Sequence, residues 1–166
     1  MTPVRDNQGL LLTDENRMTI IDLDGERLSP RARLPETLGE FQGPEVAVRL
    51  KETEYRLGFS KEGQVNTSYH PMPRRISLSS EARVVTVRRG RSEGLPLVSK
   101  PSGQDALVEI ATSASGLRSR TPFAPVPFFL HDFALLPQPP RPDAVLLLNE
   151  KADGSGKGYL LHQTAE

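Results

Sequence analysis

Prolines and glycines interrupt this sequence at short intervals, and this feature limits its fold more than any other. The 166 residues include 15 prolines, distributed from Pro3 to Pro142, and 13 glycines. Proline lacks the N–H group that helix interiors and central strands use, so long helices are disfavoured. Most uninterrupted stretches contain β-branched residues or alternate apolar with polar residues, as strands do. We therefore predict a mainly β fold: an antiparallel barrel or sandwich with few short helices and a proline-rich extended arm.

The length of the chain suits one domain. A chain of 166 residues can build an independent core, and no long linker or repeat divides it. We predict a single β-rich domain over residues 1–166, in which residues 114–142 form a proline-rich loop or arm. The predicted core consists of Ile20, Val46, Val48, Leu57, Val85, Val87, Leu107, Ile110, Phe129, Leu146 and Leu148.

The hydrophobic pattern also locates the strands. The hairpin formed by 54–59 and 65–69, with a turn at 60–64, has the clearest alternation. Loops are predicted at 29–41, where 35–41 could form one helical turn, and at 114–127. Two of the predicted strands have helical alternatives: 105–113 could be a short helix and 128–136 two helical turns. The predicted strands are 17–23, 45–50, 54–59, 65–69, 75–78, 82–89, 105–113, 128–136, 143–149 and 158–163.

The glycine-rich stretch GSGKG at 154–158 shares part of the phosphate-loop pattern G-x-x-x-x-G-K-[ST]. Lys157 follows Gly156 as the pattern requires. However, Lys151 occupies the position of the first glycine, and Gly158 occupies the position of the hydroxyl residue that binds magnesium. A phosphate cradle also needs a following helix, whereas an apolar, strand-like stretch follows here. The sequence therefore predicts a turn between two strands.

Composition excludes several classes of site. The chain has no cysteine, which rules out disulfides, thiolate metal sites and a cysteine nucleophile. The formal net charge is zero and the pI is about 6.9, so no global field attracts nucleic acid or anionic membranes. No stretch has the roughly 20 apolar residues of a membrane helix, and no signal peptide is recognisable. We expect a soluble, cytoplasmic protein without a transmembrane segment, a metal or a cofactor.

A basic tract is the strongest local charge feature of the sequence. Residues 74–91 contain six arginines and one acid, Glu81. Arginine is suited to bidentate contact with phosphate or carboxylate. One hypothesis is therefore a phosphate- or nucleic-acid-binding module that uses this tract. The candidate anion-binding residues are Arg74, Arg75, Arg88, Arg89 and Arg91.

A histidine–aspartate pair lies in the most apolar run of the chain, FFLHDFALL at 128–136. His131 and Asp132 are the only ionisable residues of that run, and a buried ionisable pair must be hydrogen-bonded. A catalytic base oriented by a carboxylate has this composition, as does a structural histidine bonded to the backbone. A second hypothesis is therefore a small enzyme that uses these two residues.

Proline-rich segments between 121 and 142 are typical of chains that lie along another protein. Polyproline II segments lose little entropy on binding. We expect a protein partner, or self-association, through these segments. The candidate partner-binding residues are Pro122, Phe123, Pro125, Pro127, Pro137, Pro139, Pro140 and Pro142.

The stretch IIDLDGERL at 20–28 resembles the opening hairpin of PRC-barrel domains, with Asp24-Gly25 as a typical hairpin turn. This resemblance implies a small β-barrel that serves as an adaptor. No assembled catalytic set accompanies it in the sequence. The leading hypothesis is a non-enzymatic accessory or structural subunit that docks within a larger protein assembly.

Overall fold

The computed structural model describes residues 8–12, 16–24, 27–41, 43–56, 59–79, 83–113, 116–136 and 142–166. These residues form β-strands and no helix, so the predicted mainly β fold is confirmed. The strands are β1 (Gln8–Leu12), β2 (Met18–Asp24), β3 (Arg27–Arg33), β4 (Glu45–Arg56), β5 (Phe59–Pro71), β6 (Ile76–Leu78), β7 (Val84–Arg88), β8 (Ala106–Ser113), β9 (Gly116–Arg120), β10 (Phe129–Leu136), β11 (Asp143–Asn149) and β12 (Gly158–Thr164).

The strands form four antiparallel sheets, each a simple meander. Their orders are β1-β2-β3, β4-β5, β6-β7-β8-β9 and β10-β11-β12, so each ladder joins strands that are consecutive in the chain. Within the described residues none of the sheets closes into a barrel. The stretch 20–28 does form a hairpin between β2 and β3, but the barrel that its resemblance implied is not observed there.

The β6–β9 sheet is central because its inner strands, β7 and β8, are buried on both faces over most of their length. On one face Val85, Val87 and Leu107 pack in a hydrophobic cluster with residues of the β10–β12 sheet, among them Phe133 and Leu146. Successive side chains of a strand point to opposite faces, so the alternating residues of β7 and β8 must pack elsewhere. This explains why β7 reads as a continuous apolar run rather than an alternating one.

A second cluster covers the opposite face of the central sheet. Val84, Val108 and Ile110 pack against Met18 and Ile20 of β2 and the segment after β3. Thr86, between the valines of β7, is fully buried and donates its hydroxyl to the Arg75 carbonyl at 2.7 Å. The central sheet is therefore covered by the β10–β12 sheet on one side and by β2 with its following segment on the other.

The β4–β5 hairpin differs from the predicted one. Residues 60–64 belong to β5 and are not a turn, and Arg56 pairs with Phe59. Residues 57 and 58 lie outside the described residues. The polar composition of 60–64 resembles that of a turn because this sheet consists of two strands only and needs few apolar residues.

Two predicted core residues lie on this hairpin and are exposed. Val46 is 46% and Val48 is 37% exposed. In the described part of the chain, β4 and β5 pair only with each other and with no strand of another sheet. Leu57, a third predicted core residue, lies outside the described residues. The remaining predicted core residues are buried.

Three further differences concern strands that carry little apolar alternation. β1 and β9 were not predicted, and β3 extends into the predicted loop at 29–41. The rest of that loop, residues 34–41, is irregular and contains no helical turn. Pro30 is accommodated in β3 because β3 is an edge strand with a register shift beside it.

The predicted arm is partly within the fold. Residues 116–136 form β9, a connection that contributes Phe123 and Val126 to the core, and β10. Residues 114, 115 and 137–141 lie outside the described residues, so the arm itself stays a prediction. No helix in the described segments is long and apolar enough to cross a membrane.

Candidate functional site

Arginines of the basic tract form an alternating stack with phenylalanines between the sheets. The Arg89 guanidinium lies between two rings, 4.9 Å from the centroid of Phe41 and 5.0 Å from that of Phe129. Arg74 lies 5.4 Å from the Phe41 centroid and Arg91 lies 5.3 Å from the Phe129 centroid. The order is Arg74, Phe41, Arg89, Phe129, Arg91, which we call the arginine–phenylalanine stack. Each cation–π contact is favourable, more so when desolvated.

Asp105 neutralises the centre of this stack. Its side chain is fully buried, and Arg89 Nη1 lies 2.9 Å from Oδ2, although the N–H is not aimed at that oxygen. Backbone N–H groups supply the hydrogen bonds: those of Gly90 and Arg91 donate to Oδ1 at 3.0 Å, and that of Leu130 donates to Oδ2 at 2.8 Å. Burial lowers the pKa of Arg89, and the Asp105 charge opposes this. The carboxylate thereby ties β10 to the chain that follows β7.

Arg74 is committed to backbone carbonyls. Its guanidinium donates to Leu38 at 3.0 Å, to Val87 at 2.9 Å and to Gly39. Burial lowers the pKa of Arg74 to about 10, with a smaller contribution from the Arg89 charge. Its three carbonyl partners show that Arg74 fastens the 38–39 segment to the end of β7.

The structure divides the predicted anion-binding residues between the interior and the surface. Arg74 and Arg89 are buried. Arg75 pairs with Asp132 at 3.0 Å and lies 5.6 Å from the ring centroid of Phe133. Arg88 and Arg91 are partly exposed at the end of β7 and just beyond it. The five arginines therefore do not form one surface, and anion binding stays a prediction.

A cleft of about 460 Å³ opens beside the stack. Its walls include two acids, Glu40 and Glu93, as well as Arg89 and Arg91, so their formal charges cancel. Glu93 also accepts a hydrogen bond from the Ala152 N–H at 2.7 Å. The geometry does not favour an anion here, because the acids oppose the arginines. The lining residues are Glu40, Arg89, Gly90, Arg91, Ser92, Glu93, Gly94, Phe129 and Ala152.

His131 and Asp132 bond to different parts of the structure. The register of β10 against β11 shifts between Leu130 and Asp132, which makes His131 the extra residue of a β-bulge. His131 is buried, and its Nε2–H donates to the Lys151 carbonyl at 3.1 Å. Asp132 instead pairs with Arg75 at 3.0 Å. Each side chain thus has its own partner, and the enzyme hypothesis stays a prediction.

Stability should fall on acidification because of His131. Burial and the Arg89 charge lower its pKa, against smaller opposing effects from the Lys151 carbonyl, Asp105 and Asp153. The unfolded chain, with an imidazole pKa of about 6.5, then binds a proton that the folded chain resists. Stability is therefore full above about pH 6.5 and declines as the pH falls towards the lowered pKa.

Urea unfolding followed by circular dichroism, at about pH 7.5 and about pH 5.5, measures this effect. We expect His131→Gln to flatten the dependence on pH. The matched control is His70→Gln, a change at an exposed residue of β5, which should retain the wild-type dependence. Equal pH dependences for wild type and His131→Gln would contradict the assignment.

The predicted partner-binding residues, seven prolines and Phe123, differ in their exposure. Phe123 is 3% exposed and lies in the core, and Pro122 is partly buried. Pro125, Pro127 and Pro142 are exposed. Main-chain bonds between Asp105 and Val126, at 3.0 and 2.8 Å, hold the connection against β8. Residues 137, 139 and 140 lie outside the described residues.

The β4–β5 hairpin is a two-stranded ribbon of 12 and 13 residues, about 40 Å long at 3.4 Å per residue. Near its base, Val46 and Tyr69 are 46% and 64% exposed, and their places in the register put them on opposite faces. A two-stranded hairpin on its own is marginally stable in water. The ribbon is thus one surface that contact with another molecule would stabilise.

A second exposed surface is more sharply defined, and the sequence did not indicate it. The segment 92–102 is a loop closed by two main-chain bonds between Ser92 and Ser102, at 2.8 and 3.0 Å. At its tip Leu97 is fully exposed, Leu95 is 64% and Val98 is 78% exposed. We call this segment the apolar loop. The only sequence feature that marks this loop is the run LPLV, which places three aliphatic residues in a stretch too short and too rich in proline for a strand.

Local hydrogen bonds close the tip of the apolar loop. The Leu95 carbonyl accepts from the N–H groups of Val98 and Ser99, both at 3.0 Å. The Leu95 N–H donates to Ser99 Oγ at 2.8 Å. Leu97 has a φ of 65°, a left-handed conformation that leucine rarely adopts. The loop thus presents its aliphatic side chains from a hydrogen-bonded backbone.

Comparisons with protein-family models, with curated proteins and with solved structures find no match for this chain. Within the described segments, no group of three or more histidine, aspartate or glutamate side chains is arranged to hold a metal ion. A functional conclusion therefore rests on the geometry above.

Proposed function

We propose that this protein is a non-enzymatic accessory or structural subunit that docks within a larger protein assembly through its apolar loop. The observation that carries the proposal is the exposure of Leu95, Leu97 and Val98 on an ordered loop. The proposed partner is a protein with a complementary apolar pocket.

Burial of these side chains would drive the association. Removing one leucine or valine side chain from water contributes about 1.5–3 kcal/mol. Binding also orders flexible groups, which costs affinity. The Ser92–Ser102 bonds and the bonds to Leu95 fix the backbone beforehand, so this cost is reduced. Single exposed apolar residues are ordinary on protein surfaces, but three at one loop tip can be buried together by one partner.

The conformation of Leu97 supports the same conclusion. A left-handed residue with a β-carbon costs roughly 1–2 kcal/mol relative to a right-handed one, and glycine avoids this cost. Gly94, in the same loop, has a φ of 76° and shows the usual solution. Strained residues persist where surrounding structure holds them and often lie at functional sites. Here the strain positions an aliphatic side chain in solvent.

A protein partner fits this loop better than an anionic surface. The loop carries one acid, Glu93, and one base, Lys100, whereas binding to anionic lipid or nucleic acid uses clusters of basic residues. Two arginines of the tract, Arg74 and Arg89, are engaged inside the fold. The described geometry of His131 and Asp132 likewise supports structure rather than catalysis.

Two substitutions at residue 97 should separate stability from docking. Leu97→Gly relieves the backbone strain, so we expect an unfolding free energy about 0.5–1 kcal/mol above that of the wild type. Leu97→Asn keeps a residue that tolerates the left-handed conformation but removes the aliphatic side chain. Both should weaken docking about tenfold or more, because they remove roughly 2 kcal/mol of apolar burial.

The measurement is the apparent mass of the tagged protein in gentle lysates of the cells that produce it, together with urea unfolding of the purified variants. Leu78→Asn is the matched control, since Leu78 is 67% exposed on β6 and should retain the wild-type mass. If wild type runs at its own mass or that of a dimer, or if the control behaves like the residue-97 variants, the proposed function is wrong.

A further inference from the structure

Strand β12 is an edge strand without the features that usually block strand pairing. Edge strands are commonly protected by prolines, charges, bulges or short length. β3 carries Pro30, β9 carries Arg118 and Arg120, β10 has the bulge at His131, and β6 has three residues. β12 instead pairs with β11 at all seven positions without a register shift. Its sequence, GYLLHQT, contains no proline, lysine, arginine or carboxylate.

The main-chain groups on the free side of β12 can be identified from its bonds. Ala165 N–H donates to the Pro142 carbonyl and Glu150 N–H donates to the Lys157 carbonyl, so these odd-numbered positions face β11. Alternate residues of an antiparallel strand face opposite sides. Glu166 N–H accordingly points away from β11, where it donates to the Pro122 carbonyl at 3.0 Å. Within the described residues, the unpaired edge consists of Gly158, Leu160, His162 and Thr164.

We propose that β12 pairs with β12 of a second copy of this chain, antiparallel and across a two-fold axis at Leu161. Leu161 is the midpoint of the free edge. In this register Gly158 faces Thr164 of the other copy, and Leu160 faces His162. All four positions have main-chain groups directed at the partner, so both strands form a complete ladder. The two β10–β12 sheets then join into one six-stranded sheet.

The charges that flank the strand complement one another only in the antiparallel arrangement. Lys157 precedes the strand and Glu166 lies two residues after its end. Antiparallel pairing about Leu161 places Lys157 of one copy opposite Ala165 of the other and diagonal to Glu166, at both ends. Parallel pairing would place like charges together. This self-complementarity favours a second copy over an unrelated strand.

The side chains at this edge also have surface to bury. Leu160 is 75% exposed, and Leu147, its register neighbour in β11, is 43% exposed. Two-fold pairing places Leu160 beside His162 of the other copy and covers its outer side. The contact consists of one strand from each copy, at the low end of interface size. We expect a dissociation constant of about 10–100 µM, typical of weak association.

This self-pairing is independent of the proposed function. It uses β12, whereas docking uses the apolar loop at 92–102. Leu97→Asn should therefore leave the dissociation constant of the purified protein unchanged, and loss of docking in lysates would not affect the dimer.

The first test is analytical ultracentrifugation of the purified chain from about 1 µM to about 300 µM, the range that spans such weak interfaces. Leu160→Pro removes one N–H from the free edge and none from the β11 ladder, a position at which edge strands tolerate proline. We expect it to weaken the dimer at least about tenfold, because two hydrogen bonds are lost per dimer. Leu160→Thr keeps the N–H and loses only part of the apolar contact, so it should weaken association clearly less than Leu160→Pro does.

The outcomes separate the explanations. A wild-type monomer at all concentrations overturns the proposal. Equal weakening by Leu160→Pro and Leu160→Thr also overturns it, since the side chain and not the strand edge would then hold the dimer. Circular dichroism of each variant confirms that the monomer is folded.

Charge reversal provides a second test that does not alter the backbone. Lys157→Glu alone and Glu166→Lys alone should each weaken the dimer several-fold, about what exposed ion pairs allow. The double variant should regain the wild-type dissociation constant at low salt. Failure of the double variant to recover would overturn the antiparallel register.

Discussion

Replacing Asp105 by alanine is expected to lower the free energy of unfolding by about 3–5 kcal/mol. Asp105 is fully buried and accepts bonds from three main-chain N–H groups, at Gly90, Arg91 and Leu130. Its removal leaves those donors without an acceptor and leaves the Arg89 guanidinium without its neutralising charge. A buried charge without a partner is among the most destabilising changes known for folded proteins.

Urea unfolding followed by far-UV circular dichroism measures this loss, because the chain has no tryptophan. Asp132→Ala is the matched control: it breaks the partly exposed pair with Arg75 and should cost about 1 kcal/mol or less. Asp105→Ala combined with Arg89→Met should lose less than the sum of the single changes, since no unpaired charge remains. If Asp105→Ala costs no more than Asp132→Ala, Asp105 does not hold the stack.

Replacing Phe123 by alanine is expected to cost about 3–5 kcal/mol of unfolding free energy, as for other buried phenylalanines. Phe123 is 3% exposed and packs in the cluster between the central sheet and the β10–β12 sheet. It was predicted from the sequence as a partner-binding residue. A loss of this size would assign it to the core of the isolated chain.

The same unfolding measurement on Pro125→Ala and Pro127→Ala supplies the comparison. Both prolines are exposed, so each change should stay within about 0.5 kcal/mol of the wild type. Any effect of these prolines would then appear in partner binding and not in stability. A change of under 1 kcal/mol for Phe123→Ala would mean that the connection does not pack as described.

The strands with strong apolar patterns could be predicted, and those that depend on tertiary context could not. β7, β8, β10, β11 and β12 have runs of aliphatic residues, and the hairpin at GSGKG follows from the two strands around it. β9 has one buried aliphatic residue, Leu117, and its neighbours are polar. The turn predicted at 60–64 was wrong, because a two-stranded ladder tolerates the polar residues that usually indicate a turn.

The site was less predictable because burial of charge depends on partners far along the chain. Arg89 meets Asp105 only after the central sheet has formed, and Phe41 and Phe129 approach it from two other segments. Nothing in the local pattern around 89 distinguishes such an arginine from an exposed one. The exposure of Leu97 could not be predicted either, because the sequence around a leucine in a loop does not show whether its side chain is buried or exposed.

The succession of strands also bears on how the chain reaches this structure. Each ladder in the described residues joins strands that are consecutive in the chain. Each sheet can therefore form as soon as its own strands have been synthesised, at a small entropic cost of loop closure. Only the stacking of one meander on another requires contacts between distant segments. On the ribosome, the β6–β9 sheet would be complete before β11 and β12 emerge. Until the last strands are synthesised, the face of this sheet that packs on the β10–β12 sheet would be exposed to solvent.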